Sequence, residues 1–163
     1  MMPDRRVARL ALLLGALCGA SAPAIAQAPA DTVRFVNPPT LSAPRGYSHV
    51  AEVPPGSRML YLAGQVALDS VGRIVGPGDF RAQAVQVFEN LRRALAAGHA
   101  TFRDVVKLNY YVVDAGQVPV LREVRGRYVN TAAPPASTLV EVRRLFRDDL
   151  LLEVEAIAIV PRR

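Results

Sequence analysis

Pro134-Pro135-Ala136-Ser137-Thr138-Leu139-Val140-Glu141-Val142 and Leu152-Glu153-Val154-Glu155-Ala156-Ile157-Ala158-Ile159-Val160 read as two closing strands, about Ser137 to Val142 and Leu150 to Val160. The second is apolar on both faces apart from its glutamates, which points to burial on both sides, one of them in an oligomer. Glu153 and Glu155 stand two apart, so on a strand their carboxylates emerge on one face.

Working back from these strands, Val105 to Val113 is predicted as another, with Val106, Leu108, Tyr110 and Val112 alternating against Val105, Lys107, Asn109 and Tyr111. Between them Pro119 precedes Leu121, Val124 and Tyr128 on one stripe, predicting a helix of about three turns. Upstream, Asp79 is a good N-cap for a long helix to Gly98, because Phe80, Ala84, Val87, Leu91 and Leu95 recur at helical spacing. Asp69 to Gly78 is a turn-rich connection. Tyr47 to Val53 and Arg58 to Leu68 are β-rich runs around Pro54-Pro55-Gly56, a turn signature that predicts a hairpin. The order β-β-α-β-α-β-β predicts an α+β fold with a single mostly antiparallel sheet packed on two helices.

The first 26 residues have the build of a secretory signal: Arg5, Arg6 and Arg9, an apolar run from Leu10 to Leu17, then Ala24-Ile25-Ala26 before Gln27. The expected division is therefore 1–26 signal peptide and 27–163 folded domain, with a periplasmic or secreted address. The apolar run falls short of the roughly 20 residues a membrane helix needs, so no membrane association is expected of the mature form. Cys18 is the only cysteine and falls within the signal, leaving no disulfide, thiol nucleophile or cysteine metal ligand. Without the signal's three arginines and Asp4, 17 basic residues face 13 acidic ones, a mild net +4. His49 and His99 lie too far apart to suggest a structural zinc site, and no phosphate loop or nucleophile elbow is present.

Taken with Tyr47, the Leu62-Ala63-Gly64-Gln65-Val66 turn, and Ala82-Gln83-Ala84 with Asn90 in the long helix, the closing strands resemble the Rid family. These are enamine/imine deaminases, a group also known as endoribonuclease L-PSP, and the resemblance covers about residues 34 to 160. It implies a chorismate-mutase-like Rid fold, a homotrimer with small-molecule clefts between subunits, and no cofactor or metal. Glu153 matches the family's water-positioning glutamate, and a partly desolvated carboxylate can orient a water toward a C=N carbon and take its proton. The alternative is that either glutamate pairs with an arginine of a neighbouring subunit.

The family places an arginine after the Pro-Ala pair to hold the substrate carboxylate, and Ser137 stands there. Replacing a charge-assisted grip by one neutral hydrogen bond forfeits roughly 1.5–3 kcal/mol, one to two decades of binding. Ser137 and Leu139 share a strand face where the family often has arginine and cysteine, so a more apolar, less cationic cleft is expected. Arg122, where the family often has a pocket-facing asparagine, is the candidate to restore a cation; its competing reading is a solvated helix arginine beside Arg125 and Arg127. Tyr47 matches a cleft-rim tyrosine or is a half-buried strand residue. Gly64 marks either a close ligand approach or a strand bulge. His49 shares the face of Tyr47, and His99 reads as a C-terminal helix cap.

Three functions follow. The first is hydrolysis of an imine or enamine to a carbonyl plus ammonia, with Glu153 holding the water and substrate choice altered by Ser137, away from amino-acid-derived 2-imino acids and toward a neutral or differently charged imine. The second is non-catalytic capture of a small metabolite outside the cytoplasm. The third, an endoribonuclease, needs stacking aromatics on a basic surface; a chain with no tryptophan and 6% aromatics, carrying an export signal, argues against nucleic acid as a partner.

Overall fold

The structure, a computed structural model, describes residues 32–160. The expected signal peptide, residues 1–26, and Cys18 within it lie outside those residues. Six strands and two helices follow in the order β1 (Arg34–Val36), β2 (Val50–Glu52), β3 (Arg58–Gln65), α1 (Phe80–Ala97), β4 (Val105–Val112), α2 (Val118–Arg125), β5 (Ala136–Glu141) and β6 (Leu152–Val160). Among the described residues no helix is long and apolar enough to cross a membrane.

The main sheet runs β3-β6-β4-β5, antiparallel except for the β4–β5 pair, which is parallel because α2 carries the chain back between them. The predicted hairpin does not form. β2 pairs instead with β1, and β3 pairs with β6. The reason lies in the β3 side chains: Leu60 and Leu62, aligned with Ala158 and Ala156 of β6, pack against the core under α1, a burial that pairing with the short, mostly exposed β2 would not supply.

α1 begins where Asp79 accepts a hydrogen bond from the Ala82 N–H. Its stripe of Ala84, Val87, Phe88, Leu91 and Leu95 is fully buried against Leu108, Val112, Leu152 and Val154 of the sheet. Each large apolar side chain there contributes roughly 1.5–3 kcal/mol by leaving water. The helix ends in a Schellman pattern, with Ala100 N–H on the Leu95 carbonyl and His99 N–H on that of Ala96. His99 occupies the left-handed position at φ 55°, so it caps through its backbone.

α2 is shorter than predicted, eight residues rather than about three turns. Gly126 closes it, yet Tyr128 stays on the expected stripe, its ring stacked 5.1 Å from Phe88.

Two amides of α1 tie the loops. Gln83, fully buried, donates to the carbonyls of Gly76 and Asp149 and accepts from Leu151 N–H at 2.8 Å. Asn90 donates to the Val66 and Leu68 carbonyls. Both residues carried the family resemblance; Asn90 holds the chain just after Gly64, and Gln83 holds the approach to β6.

Candidate functional site

At the β5 edge the chain closes a cavity of about 180 Å³ between β5, α2 and the segment before β2. Tyr47, Arg122, Ser137 and Leu139, four of the six predicted site residues, line it together. Ser48 makes this possible. Its buried hydroxyl donates to the Pro134 carbonyl at 2.7 Å and its N–H to that of Pro135 at 3.2 Å, pinning the Tyr47 segment along the start of β5. Each proline carbonyl thus gains a partner, and Tyr47 is held over Ser137. Beside Tyr47, His49 packs edge-on at 5.2 Å, with its Nε2 against the Ser42 carbonyl at 2.9 Å. It braces the tyrosine without lining the cavity.

The cavity is not the less cationic cleft expected from Ser137. Arg45, Arg122 and Arg125 all line it, with no carboxylate among the lining residues. Arg122 is exposed at the rim, whereas Arg125 is half-buried with its Nε out of solvent and without a hydrogen-bond partner. Its Nη2 lies against Gly46, where a Cβ would come within 2.8 Å and where φ is +81°. Glycine is required there on both counts. Tyr110, on the β4 floor, is 3% exposed, and its hydroxyl lies beside the Arg125 guanidinium without a well-formed hydrogen bond. Burial pushes that phenol up to about 12, against the opposing pull of the Arg125 charge. Arg125, Tyr110 and Gly46 escaped the sequence reading. The available signal was spacing: Arg125 follows Leu121 by four, beside the buried stripe.

Gly64 and Glu153 lie elsewhere. β3 slips register between Leu62 and Gln65 opposite β6, three residues against two, so the bulge reading of Gly64 holds. The close neighbour at Gly64 is a protein side chain: a Cβ there would stand 1.9 Å from Glu153 Oε1. The Glu153 carboxyl is held above its ordinary range, first by burial and then by the neighbouring Glu155 charge. Glu155 differs. It accepts from Asn109 Nδ2 at 2.5 Å and from the Tyr111 hydroxyl at 3.1 Å, which makes it the structural member of the pair.

Register separates the two groups. Ser137 and Leu139 align with Leu108 and Tyr110 on the helix-facing side of the sheet, whereas Glu153 aligns with Tyr111 and Val140 on the opposite face. Among the described residues no cluster of three metal-ligating side chains occurs.

These features define an α+β domain with two helices on one mixed sheet and a small, cationic cavity at its β5 edge. The family model described as endoribonuclease L-PSP matches residues 39–160. Protein DfrA of Myxococcus xanthus is 40% identical over 113 residues, 69% of this chain and 84% of that protein. The 2-iminobutanoate/2-iminopropanoate deaminase of Mus musculus is 31% identical over 121 residues, 74% of this chain and 87% of that protein. Among solved structures, the Rid-family protein YyfB of Yersinia pestis, of unknown function, superposes with a TM-score of 0.72 at 36% identity, covering 78% of this chain and 98% of its own. The chain belongs to the Rid, or endoribonuclease L-PSP, family.

Proposed function

We propose that this chain hydrolyses a small imine or enamine to the corresponding carbonyl and ammonia, in a cleft that a second copy completes within an exported homotrimer. The observation that carries the reading is Glu153, a half-buried carboxylate laid over a glycine that leaves it room. With its proton affinity raised by burial, it is a better base than an exposed glutamate. Water held by Glu153 adds to the C=N carbon while the carboxylate takes a water proton. Proton return to nitrogen expels ammonia as the C=O bond forms, so one water is consumed per carbonyl and ammonia released.

Glu153 and the Ser137 cavity face opposite sides of one sheet, so their meeting requires Glu153 from a neighbouring copy. The exposure of Met59 (46%), Tyr61 (76%) and Val140 (41%) on the Glu153 face supports such a contact, because an apolar face of this kind gains by burial. Light scattering should return three times the chain mass; a monomer would sink the shared cleft. The mass of protein recovered from the periplasm should place its first residue near Gln27.

The deciding experiment is ammonia release from freshly generated imines, both 2-imino acids and neutral imines, by the mature protein and by Glu153→Gln. Release above the spontaneous rate that Glu153→Gln abolishes is expected. Its absence for every imine would favour the second reading, non-catalytic capture of a small metabolite. That reading draws on one observation: no carboxylate lines the cavity, so binding there does not by itself entail hydrolysis.

A further inference from the structure

We infer that Arg125 is the anion-gripping residue of this cavity, so that the ligand carries a carboxylate held from α2 rather than from β5. The inference rests on the reading of the cavity as the ligand cleft and names the chemical class that the cleft selects. Three observations converge on it. The guanidinium has no carboxylate partner among the described residues, although seven ion pairs occupy other arginines. Its Nε is buried without a hydrogen bond, a cost that an entering anion offsets. The second is the Tyr110 hydroxyl, more than nine-tenths buried and set beside the Arg125 guanidinium in the same cavity, which can donate to a carboxylate oxygen. The third is Gly46, whose missing side chain leaves the Nη2 position open.

The grip has moved across the cleft rather than vanished. Ser137 has given up the arginine that the family resemblance leads one to expect on β5, and Arg125 reaches the same cavity from the facing helix. A planar guanidinium can take a carboxylate in two places, a geometry that a serine or tyrosine hydroxyl cannot match. At about 180 Å³ the cavity is below the roughly 300–1,000 Å³ of drug-sized pockets, which restricts the ligand to a small acid such as a short 2-imino or 2-oxo acid. Arg122, exposed at the rim, plays the lesser part of drawing the anion in.

The test is an NMR-detected titration of the full-length mature protein with 2-oxobutanoate and with its neutral counterpart, 2-oxobutanamide. The acid is expected to bind at least about tenfold more tightly. Arg125→Met should lower acid affinity about ten- to a hundredfold and leave the amide nearly unchanged, and Arg125→Lys should keep part of the preference. The preference ratio is the decisive readout, since a damaged fold would weaken both ligands alike and the lysine variant keeps the charge in place. Wild-type protein with no preference for the acid, or with no acid binding at about 10 mM, overturns the inference, as does an Arg125→Met variant with an intact ratio. None of these outcomes touches Glu153-dependent ammonia release from a neutral imine, which would leave the hydrolytic reading standing alone.

Discussion

The carboxylate of Glu153 fills the space that a side chain at residue 64 would need. A Cβ there would lie 1.9 Å from Oε1 and 2.8 Å from the carboxyl carbon. Gly64 has no left-handed backbone requirement, so the constraint is steric and one-sided. Gly64→Ala is therefore expected to push the carboxylate away while leaving the bulge in place. Ammonia release should fall at least about tenfold, with a stability loss of roughly 1–3 kcal/mol by urea unfolding. Full activity in this variant would show that the position of Glu153 does not matter to turnover.

The acid limb of the activity profile should belong to Glu153. Its folded pKa is raised, so activity is expected to rise with pH through a midpoint above that of an ordinary glutamate, about 4.3. The sign for stability is the reverse of the usual carboxylate case. A raised folded pKa means that the native state binds the proton more tightly than the unfolded chain, so this group favours folding at low pH and opposes it once pH passes the folded value. Glu153→Gln should remove the acid limb together with the activity and raise the Tm near pH 7, while having little effect near pH 4. An unchanged Tm difference across that range would contradict the burial of the charge.

Gln83 predicts a large effect far from any chemistry. Its amide satisfies two carbonyls and one N–H outside the regular elements, of which the Gly76 carbonyl also accepts from the Asp79 N–H. Gln83→Leu keeps the volume but orphans the Asp149 carbonyl and the Leu151 N–H, at a cost of roughly 2–5 kcal/mol in denaturant unfolding. A loss below about 1 kcal/mol would mean that water takes over these bonds.

How much of this could be read from the chain depended on the range of the determining contacts. α1 was legible because Asp79, a five-residue apolar stripe and Gly98 are all local signals. Strand β4 was legible by alternation and β5 and β6 as the closing runs of the motif, and Tyr47, Ser137 and Leu139 came together because one motif resemblance covered both ends of the contact. The hairpin failed because turn chemistry at Pro54-Pro55-Gly56 says where a chain bends and not which strand it then joins; Leu60 and Leu62 decide that through β6. Arg125 was lost among Arg122 and Arg127, three cations that look alike in sequence. The spacing of four from the buried Leu121 sets the arginine beside Tyr110 apart from its two exposed neighbours. That Ser137 and Glu153 stand on opposite faces follows from their register on β4, which no local pattern encodes.

That opposition makes the shared cleft testable without a structure of the oligomer. If a productive site joins Arg125 and Ser137 of one copy to Glu153 of another, then Arg125→Met and Glu153→Gln damage different halves of it. Each variant alone should be close to inactive on a 2-imino acid. When the two are unfolded together and refolded as an equal mixture, random assembly places an intact Arg125 opposite an intact Glu153 at about a quarter of the interfaces. Activity should then recover to about a quarter of wild type and reach its maximum at equal proportions. A site contained within one chain would give no recovery at any mixing ratio, because every chain in the mixture would carry one of the two defects.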